Sequence, residues 1–205
     1  GGVALADLGR EDLPALQRGM ANLERHLHNM HDAFGLRCVV AINHFNADTA
    51  AELELLRSRL AQRDVPVVVA RHWADGGAGA EELARAVVRS VEQAPSQLRF
   101  IYDDADTLWD KTQKIATTLY GAVGVTADSR VRARIAELQE QGYGHLAVCI
   151  AKTQYSFSTD PTLLGAPSGH VLTIREVRLS AGAGFVVMIC GDVMTMPGLP
   201  RVPAA

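Results

Sequence analysis

Residues 36–71, LRCVVAINHFNADTAAELELLRSRLAQRDVPVVVAR, hold two apolar runs on either side of an amphipathic segment, and this arrangement decides the fold class. The runs at 36–43 and 65–71 have the length and apolar content of buried strands. Between them, Thr49 opens a helical pattern, and Glu52 three residues later completes a capping box. A strand, a helix and a second strand in this order predict a parallel sheet joined by right-handed crossovers.

The same alternation continues on both sides of this stretch. Before it, leucine and methionine recur every three or four residues over 13–30, behind Asp12 as N-cap, and Gly35 ends the predicted helix. Beyond it, residues 170–180 and 184–190 predict an antiparallel hairpin at one edge of the sheet. The other predicted elements are helices at 80–93, 105–120 and 128–141 and strands at 98–102 and 145–151. We therefore predict an α/β fold: a mostly parallel sheet with helices on both faces and an antiparallel hairpin near the C-terminus.

Composition and charge narrow the function classes. The 205 residues are 48% hydrophobic and 21% charged, with a net charge of -3 and a pI near 6.2, so nothing indicates nucleic acid or an anionic membrane as partner. The three cysteines, Cys38, Cys149 and Cys190, each lie in an apolar run; we predict that they are buried, in a reducing compartment and without a disulfide framework.

Two aromatic dipeptides follow the first two predicted strands. His44-Phe45 comes directly after 36–43, and His72-Trp73 comes directly after 65–71. Ligands of an open parallel sheet bind at the carboxyl ends of its strands, and consecutive strands are usually neighbours. Phe45 and Trp73 are therefore expected to reach one crevice, where two ring faces can stack on a planar ligand. The residues alone leave a second interpretation open, in which one or both rings cap the core.

Other polar segments carry weaker signals. Asp75–Gly79 leads into a helix and is either a phosphate cradle or a flexible loop that lets Trp73 reach its ligand; it matches neither GxGxxG nor GxxxxGK[ST]. The run 151–160 places Lys152 and Tyr155 at another strand end, where Lys152 could contact an anion. The acidic run 103–106 predicts an N-cap. We predict no metal site, because the three histidines of the first helix lack a carboxylate or cysteine at matching spacing: His26, His28 and His31.

Six segments resemble the C-terminal region of formate–tetrahydrofolate ligases, also called formyltetrahydrofolate synthetases, and together they cover essentially the whole chain. They are INHFNADTAAE (42–52), HWADGGAG (72–79), KIATTLYGAVGV (114–125), AKTQYSFSTDPTLLGAPSG (151–169), REVRLSAGAGF (175–185) and GDVMTMPGLPRVPAA (191–205). The resemblance implies that residues 1–205 are the C-terminal α/β region of a larger P-loop-containing ligase whose nucleotide-binding region precedes them. Gly1-Gly2, with no methionine before it, is similar to the end of a His-Gly-Gly signature, and the family continues beyond Ala205, so both ends are expected to be cut.

The resemblance also implies an activity. The family joins formate to tetrahydrofolate with ATP and Mg, through formyl phosphate, and gives 10-formyltetrahydrofolate for one-carbon metabolism. It implies a cytoplasmic homo-oligomer, a tetramer in the family, with no nucleic acid or membrane partner. This chain alone is expected to be inactive and to contain no catalytic residue. The residue-based alternatives are a stand-alone nucleotide-binding module, or an assembly domain that packs through the first helix or through residues 194–200.

For the site residues, the resemblance implies that Phe45 and Trp73 match the pair that sandwiches the folate ring. Five further residues are neighbours of that pocket by position only: His44, Asn46, Val69, His72 and Ala74. The family commonly has proline where this chain has Asn46, which makes the loop around Phe45 less stiff.

Overall fold

The structure, a computed structural model, describes residues 2–63, 65–93 and 95–192. The chain divides into two compact units, Gly1–Ile101 and Tyr102–Ala205. Within the described part of the chain, no helix has both the length and the apolarity needed to cross a bilayer.

The first unit begins with α1, Leu13–His28, and the predicted N-cap is confirmed. The Asp12 side chain accepts a hydrogen bond of 2.9 Å from the Ala15 N–H, which satisfies one of the free donors of the first turn. A π-helical turn continues α1 to Ala33, and Gly35 then takes the left-handed conformation, with φ 67°, as the predicted helix end requires. The remaining elements of this unit are β1 Val40–Asn43, α2 Ala50–Ala61, β2 Val67–Ala70, α3 His72–Asp75 and α4 Glu81–Gln93.

The sheet of the first unit consists of β1 and β2, which pair in parallel with Asn43 opposite Ala70. The prediction that the two strands are neighbours is therefore confirmed, and both are shorter than the apolar runs that predicted them. The α2 capping box is also confirmed, because the Glu52 N–H donates to Thr49 and the Thr49 N–H donates back to Glu52. Helices α1 and α2 share a small core in which Met20, Leu27 and Leu60 are buried. This arrangement fixes the sheet edge from which Phe45 and Trp73 leave.

One predicted strand of the first unit is absent. Residues 98–102 form no strand: Gln97 and Arg99 donate to the carbonyls of Gly35 and Phe34, and the Phe100 side chain is 83% exposed. The segment has strand-like composition, but its backbone bonds go to the end of the first helical region instead of the sheet. The predicted helix at 80–93 is present as α4, and its Val87 and Val91 side chains are exposed.

The second unit carries its strands in two small sheets. In one, β3 and β5 pair in parallel; in the other the order is β4-β7-β6, with β4 parallel and β6 antiparallel to β7. The elements are α5 Leu108–Leu119, β3 Gly124–Ala127, α6 Ser129–Glu140, β4 Ala147–Ala151, β5 Val171–Ile174, β6 Glu176–Ser180 and β7 Phe185–Ile189.

The α/β class and the edge hairpin of β6 and β7 are confirmed, whereas the single sheet is not. Among the described residues the strands form three small sheets. The predicted strand at 170–180 divides at Arg175, whose N–H donates to the Ile189 carbonyl at 2.8 Å. The residues before it join β3, and those after it join β7. Strand β3 was not predicted, because its four residues form too short a run to show a period.

The second core is apolar apart from a few polar groups, of which Lys111 on α5 is the largest. Its side chain is fully buried, and its amino group lies 5.4 Å from the centre of the Tyr102 ring. The Lys111 amino group donates to the carbonyls of Gly144 at 2.8 Å and Leu146 at 3.2 Å. It thereby ties α5 to the turn that leads into β4.

The cysteines are only partly as predicted. Cys190 is buried, and burial raises the pKa of its thiol to about 12; burial also raises the pKa of Cys38, which is half-buried. Cys149 is exposed, so its predicted burial is wrong. It lies in the middle of β4, on the face opposite the buried Val148, because side chains alternate across a strand.

The sequence Ala-Asp-Thr occurs before both α2 and α5, and it builds the same structure twice. At 47–49 the Asp48 carboxylate accepts the Phe45 N–H, and Thr49 caps α2. At 105–107 the Asp106 carboxylate accepts the Asp103 N–H, and Thr107 caps α5. The N-cap is thus Thr107, and the predicted cap within the acidic run 103–106 is wrong.

Candidate functional site

Phe45 lies just beyond the carboxyl end of β1. The ladder ends with the His44 N–H, which donates to the Ala70 carbonyl at 3.1 Å. The Phe45 side chain follows directly and is 56% exposed, so it does not cap a core in the described structure. An aromatic side chain with this exposed fraction has surface free for contact with a ligand.

Trp73 lies three residues beyond the carboxyl end of β2, in the short helix α3. The Arg71 carbonyl accepts the N–H groups of Ala74 at 3.0 Å and Asp75 at 2.9 Å, which winds the backbone around Trp73 into one turn. The indole is 76% exposed, and the His72 ring lies beside it with centroids 6.3 Å apart. Phe45 and Trp73 therefore leave the sheet from the ends of two hydrogen-bonded strands, as the sequence predicted.

The loop that carries Trp73 closes on itself through Arg71 and Gly79. The Arg71 N–H donates to the Gly79 carbonyl at 3.0 Å. A Cβ on Gly79 would lie 2.5 Å from the Arg71 carbonyl carbon and 2.9 Å from the His72 nitrogen, closer than real Cβ atoms come. Only glycine permits this approach, so the expected flexible loop is instead a compact pair of helical turns.

We expect Gly79→Ala to release Trp73, because the added methyl group must push the Arg71 backbone away; overpacking of this kind costs about 1–3 kcal/mol. In a Trp109→Phe background, where Trp73 is the only tryptophan, its fluorescence anisotropy should fall. Gly77→Ala is the matched control, since a Cβ there meets nothing within 4 Å. Equal anisotropy in the two variants would show that the Arg71–Gly79 contact does not hold the tryptophan.

The five predicted neighbours of the pocket differ in their exposure to solvent. Asn46, His72 and Ala74 are exposed, whereas His44 and the β2 residue Val69 are partly buried. Asn46 stands at the second position of a turn closed by the Asp48 N–H, which donates to the Phe45 carbonyl at 3.0 Å. That turn supplies a restraint on Phe45 in place of a proline at position 46.

The glycine-rich loop has the wrong charge for a phosphate site. Helix α4 follows it and begins with Glu81 and Glu82, and Asp75 lies at the start of the loop. Anions bind at helix N-termini where free N–H groups and positive potential meet, and three carboxylates oppose that potential. The geometry therefore gives no support to a nucleotide site in this loop.

His28 at the end of α1 and His31 in the following turn share a partner, Asp32, that the sequence analysis overlooked. Asp32 accepts from Nδ1 of His28 at 2.6 Å and pairs with Nδ1 of His31 at 2.9 Å. These hydrogen bonds, His31 first and His28 second, lower the pKa of the Asp32 carboxyl. The side chains of His28, His31 and Asp32 are all exposed, and no group of His, Cys, Asp and Glu suited to a metal occurs in residues 2–63, 65–93 and 95–192.

The amino group of Lys152, directly after β4, is hydrogen-bonded to the loop that it begins. Its amino group donates to the carbonyls of Thr153 and Ser156 and lies 5.4 Å from the centre of the Tyr120 ring. Partial burial lowers the pKa of Lys152, and burial raises the pKa of Tyr120 to about 12. Tyr155 in the same loop is exposed. Through these contacts the Lys152 amino group holds the loop that follows β4.

Comparison with known proteins supplies the family. The family model described as formate–tetrahydrofolate ligase matches residues 1–205. The chain belongs to that family. Among curated ligases of this name, the chain is 58% identical to the one from Methylibium petroleiphilum, 57% to that from Methylococcus capsulatus and 56% to that from Granulibacter bethesdensis.

These matches also set the extent of the similarity. Each covers 100% of this chain but only 36–37% of the relative's own length. The chain thus spans a little over a third of the curated ligases that it matches. The expectation from the six resembling segments is confirmed at the level of the family.

Two residues that shape the site were missed by the sequence analysis. Asp48 could have been found from the repeated Ala-Asp-Thr at 47–49 and 105–107. Nothing in the sequence distinguishes Gly79 from Gly76 and Gly77, because the close approach to Arg71 exists only in the folded loop.

Proposed function

We propose that this chain supplies the folate-binding part of an enzyme that joins formate to tetrahydrofolate with ATP. The observation that carries the proposal is the pair of exposed rings, Phe45 and Trp73, at the carboxyl ends of two adjacent parallel strands. Parallel sheets bind ligands at this edge, and two aromatic faces suit a planar bicyclic ring such as that of folate. Family membership supports the choice of folate among planar ligands.

In this proposal the clamp holds the acceptor while other parts of the protein activate formate. A formate oxygen attacks the γ-phosphorus of ATP, and ADP leaves, which gives formyl phosphate. The folate nitrogen N10 then attacks the formyl carbon, phosphate leaves with the bonding pair, and N10 loses its proton to solvent. Holding the folate ring by stacking binds the acceptor, which raises kcat/KM without any action as acid or base.

ATP and its magnesium ion are proposed to bind outside these 205 residues. The sequence contains no GxxxxGK[ST] segment, and the glycine-rich loop after Trp73 is flanked by carboxylates. A cytoplasmic homo-oligomer of four subunits remains part of the proposal, with the resemblance to the family as its support.

Assembly is a second candidate role, favoured by exposed apolar side chains in the first unit such as Val88, Val91 and Phe100. The first helix, which the sequence suggested for this role, buries Met20 and Leu27 within its own unit, so it offers less apolar surface than expected. The other suggested segment, 194–200, lies outside the described residues.

Titration of the full-length protein and of its Trp73→Phe variant with tetrahydrofolate tests the folate assignment, because the difference between their emissions reports on Trp73. We expect saturable quenching of its emission by tetrahydrofolate and none by ATP, after correction against free tryptophan. The Trp73→Phe protein is the matched control, and the quenching that it lacks relative to the parent is the part that Trp73 reports. Tetrahydrofolate binding detected by calorimetry with unchanged Trp73 emission would refute the assignment.

A further inference from the structure

The backbone around Phe45 is fixed by a single neighbouring residue, Asp48. The Phe45 N–H donates to Asp48 Oδ2 at 2.8 Å, and the Asp48 N–H donates to the Phe45 carbonyl at 3.0 Å. Both polar backbone groups of Phe45 are therefore used by one residue. Immediately before it, the His44 N–H makes the last bond of the β1–β2 ladder.

We propose that Asp48 is a positioning residue for tetrahydrofolate: its carboxylate fixes the direction in which the Phe45 ring leaves the sheet edge. This inference rests on the proposed folate clamp. The Phe45 ring is more than half exposed, so packing does not hold it, and its orientation depends on the backbone that carries it. A ring that is held in place before the ligand arrives binds more tightly, because less of the protein must be ordered on binding.

Asp48 is not needed to start α2, which separates this role from helix capping. The capping box is formed by Thr49 and Glu52, at 3.3 Å for the Glu52 N–H and 3.0 Å for the Thr49 N–H. Loss of the Asp48 carboxylate should therefore free the Phe45 N–H while the helix remains capped.

The second Ala-Asp-Thr segment provides an internal control. Asp106 accepts the Asp103 N–H at 2.8 Å, and the Asp106 N–H donates to the Asp103 carbonyl at 3.0 Å. These are the same two bonds at the same distances, but the residue held by them is an aspartate instead of an aromatic residue. Asp106→Ala thus removes an equivalent turn bond, together with the ion pair to Lys114, at a turn that carries no aromatic ring.

The test compares Asp48→Ala, Asp48→Asn and Asp106→Ala in the full-length protein through kcat and the KM values for tetrahydrofolate and ATP. We expect Asp48→Ala to raise the KM for tetrahydrofolate about five- to thirtyfold, the factor expected when one backbone residue must be ordered on binding. The value of kcat and the KM for ATP should change less than about twofold. Asp48→Asn keeps an acceptor oxygen and should restore most of the affinity, and Asp106→Ala should leave this KM unchanged.

The double variant Asp48→Ala/Phe45→Ala decides whether Asp48 acts through Phe45. If it does, the double variant binds tetrahydrofolate no more weakly than Phe45→Ala alone, because neighbours that act as a unit are not additive. Additive losses, or an unchanged KM in Asp48→Ala, would overturn the inference. If Asp48→Ala does not fold, Asp48→Glu replaces it, since the longer side chain keeps the charge but displaces the oxygens, and the same rise in KM is expected.

Failure of the inference is distinguishable from failure of the folate clamp. If Phe45→Ala leaves tetrahydrofolate binding unchanged, the clamp itself is wrong. If Phe45→Ala weakens binding and Asp48→Ala does not, the clamp stands and the positioning role of Asp48 is wrong.

Discussion

Trp73→Ala is expected to raise the KM for tetrahydrofolate by about five- to 150-fold in the full-length protein. Stacking of a base on an aromatic side chain is worth about 1–3 kcal/mol by alanine substitution, and a folate ring is a planar heterocycle of similar size. The indole is largely exposed, so its removal leaves little unfilled space in the core and should not unfold the unit. The KM values for ATP and formate are expected to change less than about twofold, because the substitution removes a contact with tetrahydrofolate alone.

Two variants sharpen this result. Trp73→Phe keeps an aromatic face and should lose less affinity than Trp73→Ala. Trp109→Ala removes the other tryptophan, which lies under the Arg132 guanidinium at 4.3 Å in the second unit, and should leave the KM for tetrahydrofolate unchanged. A KM for tetrahydrofolate that does not change in Trp73→Ala would contradict the clamp.

Lys111→Met is expected to be the most destabilising of these substitutions. Methionine fills a similar volume but leaves the buried carbonyl of Gly144 and the partly buried carbonyl of Leu146 without the donor that Lys111 provides. An unsatisfied buried carbonyl costs about 1–3 kcal/mol and a partly exposed one costs less, so a loss on the order of 2–4 kcal/mol follows for the pair. For a unit of this size that lowers Tm by roughly 10–20 °C, measured by circular dichroism or calorimetry.

Lys114→Met on the same helix is the matched control for Lys111. Lys114 is about half exposed and pairs with Asp106, so its replacement should change Tm only slightly. Similar Tm values for the two variants would show that the buried amino group does not hold the turn before β4.

The sequence predicted the placement of the aromatic pair because that placement depends on local patterns. Two apolar runs, a capped helix between them and one aromatic dipeptide after each run are enough to put Phe45 and Trp73 at one sheet edge. Strand lengths were overestimated, since apolar composition does not show where a ladder ends. Residues 98–102 have the composition of a strand, but which backbone groups they bond with depends on the rest of the fold.

Contacts between distant residues account for most of what could not be predicted. Lys111 occurs in an ordinary helical pattern, and its burial follows from two carbonyls 33 and 35 residues away. The division of 170–180 between two sheets likewise depends on pairing with β3 and β7. The pairing of Asp32 with His28, in contrast, could have been predicted from the sequence. Asp32 is four residues from His28, a spacing at which helical side chains meet.

The crystal structure of the full-length protein with bound tetrahydrofolate is the most direct test of the central claim, that Phe45 and Trp73 form a folate clamp. The account predicts the bicyclic ring between the two side chains, with each aromatic face in van der Waals contact at about 3.5–4 Å. A folate ring bound elsewhere, with Phe45 and Trp73 still open to solvent, would contradict it.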